Sequence, residues 1–362
     1  MSPVESFSAT YREAREKFLA AAGRAGAHIE TFEHPQRGPG GEDLSTDVAW
    51  LGSREAEAVL VTISGTHGVE GFAGSGAQID WLTRGEAGRL PPNVSVLLIH
   101  AINPYGFAWL RRVTHENVDL NRNWVDFAGP LPRNDEYESL ASAICPSVWS
   151  GEQRRRADRV LAEFVATHGR AAWQRAISGG QYCQPQGIFY GGDAPSWSRR
   201  TQSAIFSEYL RNAVRVGIID FHTGLGPWGL GEHIAVAARA SAEFRRVSCW
   251  YGMDVVCPHD GTSTSAPIIG DGLSASGALL PHAEVTGMAL EFGTVPIDEV
   301  LEALRADAWL HAYGDLCSAQ GQAIKAQIRA AFVDDDAHWR GMILGQSLLA
   351  ARQAVRGLSS PR

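Results

Sequence analysis

Four short runs dominated by apolar and β-branched residues, at 59–63, 94–100, 214–221 and 288–292, stand out along the chain. Runs of this length and composition predict buried strands. Between the first two, residues 72–82 open on small side chains and can form a helix. That spacing is the spacing of a crossover unit, so the two strands are expected to be parallel. Residues 8–25 carry Tyr11, Ala14, Phe18 and Ala21 at steps of three and four, the pattern of an amphipathic helix. Residues 28–32 predict a short strand, 35–41 a Pro/Gly turn, and the alternating 44–51 an edge strand. Amphipathic helices are expected at 152–167 and 169–177, in a segment that also holds Trp124, Trp149 and Trp173. After residue 296 the pattern is helical, at 298–319, 321–332 and 338–354. The sum is an α/β fold in a single domain, 1–362, with a mixed, mostly parallel sheet flanked by helices. A helical insertion at 125–180 would supply core aromatics, cover a site or make a subunit contact. The helical segment at 297–356 would pack on the sheet or form a homo-oligomer interface.

Composition narrows the partners. With 44% hydrophobic and 20% charged residues over 362 positions, the chain is ordinary globular sequence. The net charge of −8 and the lack of a basic run argue against nucleic acid and anionic membranes. No stretch is apolar enough to span a bilayer, and the charged, polar start at 1–18 gives no expectation of a secretory signal. Five scattered cysteines without a C-x-x-C fit a reduced cytoplasm better than a disulfide frame or a cysteine zinc site.

The chemistry gathers at two places. The first predicted buried strand breaks at Ser64-Gly65-Thr66 and is followed by His67-x-x-Glu70, where strand passes into helix. In open α/β sheets ligands bind at that edge, and an imidazole and a carboxylate on one turn can share a Zn²⁺ ion. Alone, the pair reads more readily as a loop with a surface His and Glu. After the second buried strand, 101–124 contains Asn103-Pro104-Tyr105-Gly106, then Arg111, Arg112, Asp119, Asn121, Arg122 and Asn123. Guanidinium and amide groups on one loop can bind a carboxylate or an oxyanion, or can tie the loop together through Arg–Asp pairs. No G-x-S-x-G is present, and the glycines at 71–76 lack dinucleotide-fold spacing, so a serine hydrolase and a nucleotide fold are disfavoured.

The series His67-x-x-Glu70, Asn103-Pro104-x-Gly106 and Asp119-x-Asn121-Arg122-Asn123 resembles the zinc carboxypeptidase superfamily, which also contains the aspartoacylase and succinylglutamate desuccinylase deacylases. The resemblance spans roughly 59–296 and includes a strand ending in Asp220-Phe221-His222-Thr223-Gly224 and a later run carrying Glu291. The GQYCQPQGIFYGG run around Tyr190 resembles a bacterial branch of unassigned function. The resemblance implies a zinc carboxypeptidase-like fold, with one Zn²⁺ per chain on His67, Glu70 and His222 and an open fourth position for water. It implies Glu291 as general base and Arg112 as oxyanion stabiliser, with the adjacent Arg111 an alternative. Asn121 and Arg122 would hold a substrate carboxylate, and Asp119 would orient His67. Asp220 is either a similar support for His222 or a buried capping group. Tyr190 is either near the substrate or a core aromatic. His233 and the 258–272 loop with His259 and Asp260 are open between pocket and structural roles. His34, His168, His311 and His338 are read as helical or exposed and given no function.

The implied reaction is zinc-dependent hydrolysis of an amide bond in a small anionic substrate, an N-acyl amino acid or small peptide with a free carboxylate. A carboxypeptidase acting on longer peptides is the alternative, and a non-catalytic binding protein on the same fold is a further one.

Overall fold

The computed structural model describes residues 3–360. Seven strands form one sheet: β1 (His28–Arg37), β2 (Asp43–Leu51), β3 (Ala58–Ile63), β4 (Val94–His100), β5 (Arg215–Trp228), β6 (Gly231–Ile234) and β7 (Glu284–Gly293). Their order is β1-β2-β4-β3-β5-β7-β6. The four inner strands β4, β3, β5 and β7 are parallel, while β2 pairs antiparallel with β4 and β6 antiparallel with β7. Every residue of β3 and β4 is buried, which is why both read as continuous apolar runs. Alternate side chains serve two cores. Leu60 and Leu98 face the helices Tyr11–Arg24, Gly71–Thr83 and Ala337–Ser359, whereas Val59, Val61 and Ile63 face Trp197–Tyr209 and Gly272–Leu279. The helices Asp135–Ile144, Gly151–His168 and Arg170–Ser178 occupy most of the stretch between the two halves of the sheet.

Several expectations need correction. Strand β2 is not at the edge, because β1 covers it. Its polar residues look exposed in sequence, but Asp47 is fully buried and receives Arg15 Nε at 2.7 Å and Thr31 Oγ1 at 2.6 Å. The expected turn at 35–41 begins three residues late, because β1 continues to Arg37 through a register shift between Glu33 and Arg37. Pro35 cannot donate to the ladder, and an irregularity of this kind accommodates it. His34 is buried rather than exposed, with Trp197 and His115 against its ring at 4.5 and 4.8 Å. Residues 103–106 are not a simple turn but start the helix Pro104–Ala108, capped by the Asn103 side chain. The helix expected to reach residue 319 stops at Tyr313, and the next begins at Ala319 with Ser318 as its cap.

The register brings the chemistry-bearing strand ends together. Ile63 lies beside Ile99 and Asp220, and His222 beside Glu291. Residues following β3 and β4 therefore meet the far ends of β5 and β7 at one edge.

Candidate active site

Beyond β3 the chain turns through Gly65 (φ +68°), a backbone that favours glycine. Gly68 then passes so close to Gly106 that a Cβ would lie 2.0 Å from its carbonyl carbon. The Gly68 and Val69 amides donate to the Arg112 and Arg111 carbonyls at 3.0 and 2.8 Å. This pins a short 3₁₀ turn, Gly68–Glu70, that aims His67 and Glu70 to one side.

His67, Glu70 and His222 converge. Nδ1 of His67 lies 2.9 Å from Glu70 Oε1, Nδ1 of His222 lies 2.9 Å from Glu70 Oε2, and the two Nδ1 atoms are 3.2 Å apart. Behind them, His67 Nε2 faces Asp119 Oδ1 at 3.2 Å and His222 Nε2 faces Asp220 Oδ2 at 2.9 Å. Asp220 also accepts from Thr66 Oγ1 at 2.7 Å. A carboxylate behind each ring draws the ring N–H to Nε2 and leaves the Nδ1 lone pair pointing forward. Three buried acceptors then confront one another, an arrangement that needs a cation. Ligands ~2.0–2.1 Å from a tetrahedral ion lie ~3.3 Å apart, close to the spacing observed, and two imidazoles with one carboxylate are a zinc-type donor set. The residues present therefore fit a zinc ion.

Without a metal, a proton on His222 takes the place of that cation. Burial opposes a charge on His222, yet Asp220 and Glu70 outweigh it and hold the imidazole well above its ordinary value. Burial likewise opposes ionisation of Asp119, but Arg112, Arg122 and His67 hold it well below the usual carboxylate range. Glu291 is the opposite case. Burial, reinforced by the Glu70 charge, pushes it up to about 8. Its Oε1 accepts the Leu225 amide at 3.0 Å, and it stands on β7 directly beside His222. A carboxyl raised toward neutrality is suited to taking and returning a proton.

His67, His222 and Glu291 line one cleft, roughly 950 Å³ counted out to its open mouth, together with Arg112, Asn121 and Arg122. Arg112 spans the centre, donating from Nη1 to Glu70 at 3.1 Å and from Nε to Asp119 at 2.9 Å. Asn121 Oδ1 accepts the Gly272 amide at 3.2 Å, which leaves Nδ2 as the side chain's remaining donor. Arg122 donates to the Asn121 and Ser178 carbonyls, and its buried Nε has no partner among the described residues.

Two assignments fail. Arg111 does not face the cleft: it is 4% exposed, with Nε on Asp307 at 3.0 Å and Nη2 on Asn117 at 2.9 Å. Tyr190 does not line the cleft either, and its contribution is a carbonyl that accepts the Asp119 amide at 2.8 Å. Its neighbour Phe189 (φ +55°) takes that place, with Arg112 and Arg122 over its ring at 5.2 and 5.4 Å. The sequence reading also missed Asp271, the N-cap of Gly272–Leu279, and Gln174 and Ser178 from the insertion, all on the cleft wall. An Asp before a short helix was the available signal for the first; the insertion offered none. His233 stacks on Tyr251 and Asp260 pairs with Arg239, both outside the cleft, although Ser265, Ala266 and Ile268 of the same loop border it.

Residues 7–346 match a family described as "Protein of unknown function (DUF2817)". The chain belongs to this family. No curated protein matches this DUF2817 chain. Among solved structures it is similar to bovine thrombin-activatable fibrinolysis inhibitor, solved in complex with tick carboxypeptidase inhibitor, at 10% identity over 99% of both chains and a TM-score of 0.51. Weaker superpositions include a metallo-carboxypeptidase from Burkholderia cenocepacia (11% identity, 94% of this chain, 68% of that one, TM-score 0.42). Another is the murein-tripeptide amidase MpaA from Escherichia coli O157 (18% identity, 81% and 94%, TM-score 0.34). At such identities the likeness concerns the fold, which is zinc carboxypeptidase-like. No helix among the described residues of this DUF2817 chain is long and apolar enough to cross a membrane.

Proposed function

We propose that the protein is a zinc-dependent hydrolase that cleaves the amide bond of an N-acyl amino acid or small peptide carrying a free carboxylate. The observation that carries this reading is the convergence of the His67, Glu70 and His222 side chains with Glu291 on the neighbouring strand directly beside His222. Zinc bound by His67, Glu70 and His222 would lower the pKa of a water toward ~7 and polarise the scissile carbonyl. Glu291 takes the proton of the attacking water and delivers it to the leaving nitrogen. Arg112 engages carboxylates through Nε and Nη1, which leaves Nη2 to donate to the developing oxyanion. Asn121 Nδ2 and the Arg122 guanidinium hold the substrate carboxylate. Helix Arg170–Ser178 and the loop ahead of Asp271 both contribute to the cleft wall, which favours a small substrate over a long peptide.

The test is elemental analysis of the wild type beside His67→Ala and His222→Ala, followed by a screen of N-acyl amino acids and peptides with Glu291→Gln as the inactive control. One zinc per chain, lost in both variants, is the expected result. Full retention in both variants would overturn the ligand set. Cleavage confined to long peptides would replace the deacylase reading with a carboxypeptidase.

A further inference from the structure

We infer that Asp307, with Lys325, is a positioning residue for the metal centre, acting through Arg111 on the backbone that carries Arg112 and braces the His67–Glu70 turn. The inference rests on the reading of the site given above.

Arg111 and Arg112 are consecutive, yet their side chains leave in different directions. Arg112 enters the cleft, and Arg111 goes to the buried Asp307 on helix Ile297–Tyr313. A buried guanidinium is tolerated only when paired and hydrogen-bonded. Asp307 Oδ2 takes Arg111 Nε at 3.0 Å, and Asp307 Oδ1 takes the Lys325 ammonium from the next helix, Ala319–Phe332. Lys325 is itself placed by the Leu110 carbonyl at 3.4 Å and His311 Nε2 at 2.7 Å. Two C-terminal helices thus grip residues 110 and 111 from side chain and backbone at once.

What they grip is a strained corner. Leu110 has φ +51°, a conformation disfavoured for a branched L-residue that persists where its surroundings impose it. Past the corner, the carbonyls of Arg111 and Arg112 receive the Val69 and Gly68 amides, the two peptide N–H groups that lie between His67 and Glu70. Displacement of 110–112 would therefore move the spacing of two metal ligands and the head of Arg112 together. The helix carrying Asp307 also borders the cleft through Leu301 and Leu304, but among the described residues the hydrogen-bonded route from Asp307 to the His67–Glu70 turn runs through this backbone.

The test uses the full-length, zinc-loaded protein. Asp307→Asn removes the charge that both Arg111 and Lys325 require, Asp307→Glu restores it, and Lys325→Gln is a milder probe that leaves the Asp307–Arg111 pair. Asp158→Asn is the control, since Asp158 pairs with the buried Arg305 away from the site. The measurements are zinc affinity by chelator competition, the visible spectrum of the Co²⁺-substituted protein, kcat and KM, and thermal melting. Asp307→Asn is expected to weaken zinc binding about 10–100-fold, the size of effect seen when a support behind a ligand is lost. It should also alter the Co²⁺ spectrum and lower kcat more than it raises KM. Asp307→Glu should recover part of each, and Lys325→Gln should shift each in the same direction by less. Asp158→Asn should lower the melting temperature only. If Asp307→Asn does not fold, Lys325→Gln decides. Wild-type zinc affinity and Co²⁺ spectrum in the deciding variant, with only melting affected, would overturn the inference and leave the proposed function standing. Failure of the wild type to bind zinc would instead overturn that function, and this inference with it.

Discussion

The side chains of Arg111 and Arg112 lead into two buried charged clusters that are built in opposite ways. On the cleft side, the three carboxylates of Glu70, Asp119 and Asp220 stand against the guanidiniums of Arg112 and Arg122, and acceptor atoms face acceptor atoms across 2.9–3.2 Å. On the far side, Arg111 and Lys325 surround one carboxylate, and each donor named there meets an acceptor on Asp307, Asn117, Leu110 or His311. The second cluster is complete in itself. The first needs a cation at its centre, a bound metal or, without one, a proton on His222. Incompleteness of this kind, rather than burial or charge as such, separates a working site from a structural brace.

The comparison breaks first at Glu291. If the cleft cluster is catalytic, Glu291→Gln should lower kcat by roughly 10²–10⁴ while zinc content stays at the wild-type value. Near wild-type turnover in a zinc-loaded variant would remove the base from the mechanism. Arg112→Ala should cost roughly 10²–10³ in kcat, as removal of an oxyanion donor does. Arg112→Lys is expected to recover little, because an ammonium cannot bridge Glu70 and Asp119 while keeping a further donor free. Steady-state kinetics on the best substrate from the screen decides both.

The sequence made the cleft cluster more legible than the brace, for identifiable reasons. His67 and Glu70 sit on one turn after an all-buried strand, so local pattern was enough to raise them. Asp119, His222 and Glu291 had to be carried by resemblance, since 155 residues separate the two histidines. No periodicity runs through 110–112 to say which guanidinium faces where, and the partners of the two side chains, Asp307 for Arg111 and Glu70 with Asp119 for Arg112, distinguish them. The same holds for Tyr190, where a positive φ at Phe189 disturbs the alternation by which sides are assigned. Asp307 and His311 lie on a helix whose periodicity suggests only an apolar face. Arg111, the partner of Asp307, is 196 residues away from it, and no local signal links them.

A smaller effect sharpens the account of the histidine supports. Asp220 holds His222 from behind and is held by Thr66 in turn. Asp220→Asn keeps the shape but removes the charge that stabilises a liganded imidazole, so zinc affinity should fall about 10–100-fold. Zinc competition measured beside the wild type reports it, and an unchanged affinity would reduce Asp220 to a packing role.

The smallest effect belongs to the brace and is read by acid. Burial, reinforced by Arg111, pushes the His311 imidazole down to about 3. In an unfolded chain the same ring protonates near ~6.5. The unfolded state therefore takes up a proton first, and stability present above pH ~6.5 is lost as pH falls toward 3. For Asp307, burial works against ionisation, but Lys325 and Arg111 outweigh it and hold the carboxyl at about 2. Its contribution stays intact above pH ~4 and is lost below. Within this cluster the interval from pH ~6.5 to ~4.5 thus belongs to His311 alone. His311→Gln keeps an acceptor for Lys325 and removes the titration. Between pH 7 and 4.5 the variant should lose ~1–2 kcal/mol less stability than the wild type, a few degrees in melting temperature. Equal losses in the two proteins would mean that His311 titrates as it does in water, and that the brace is not the sealed counterpart of the cleft.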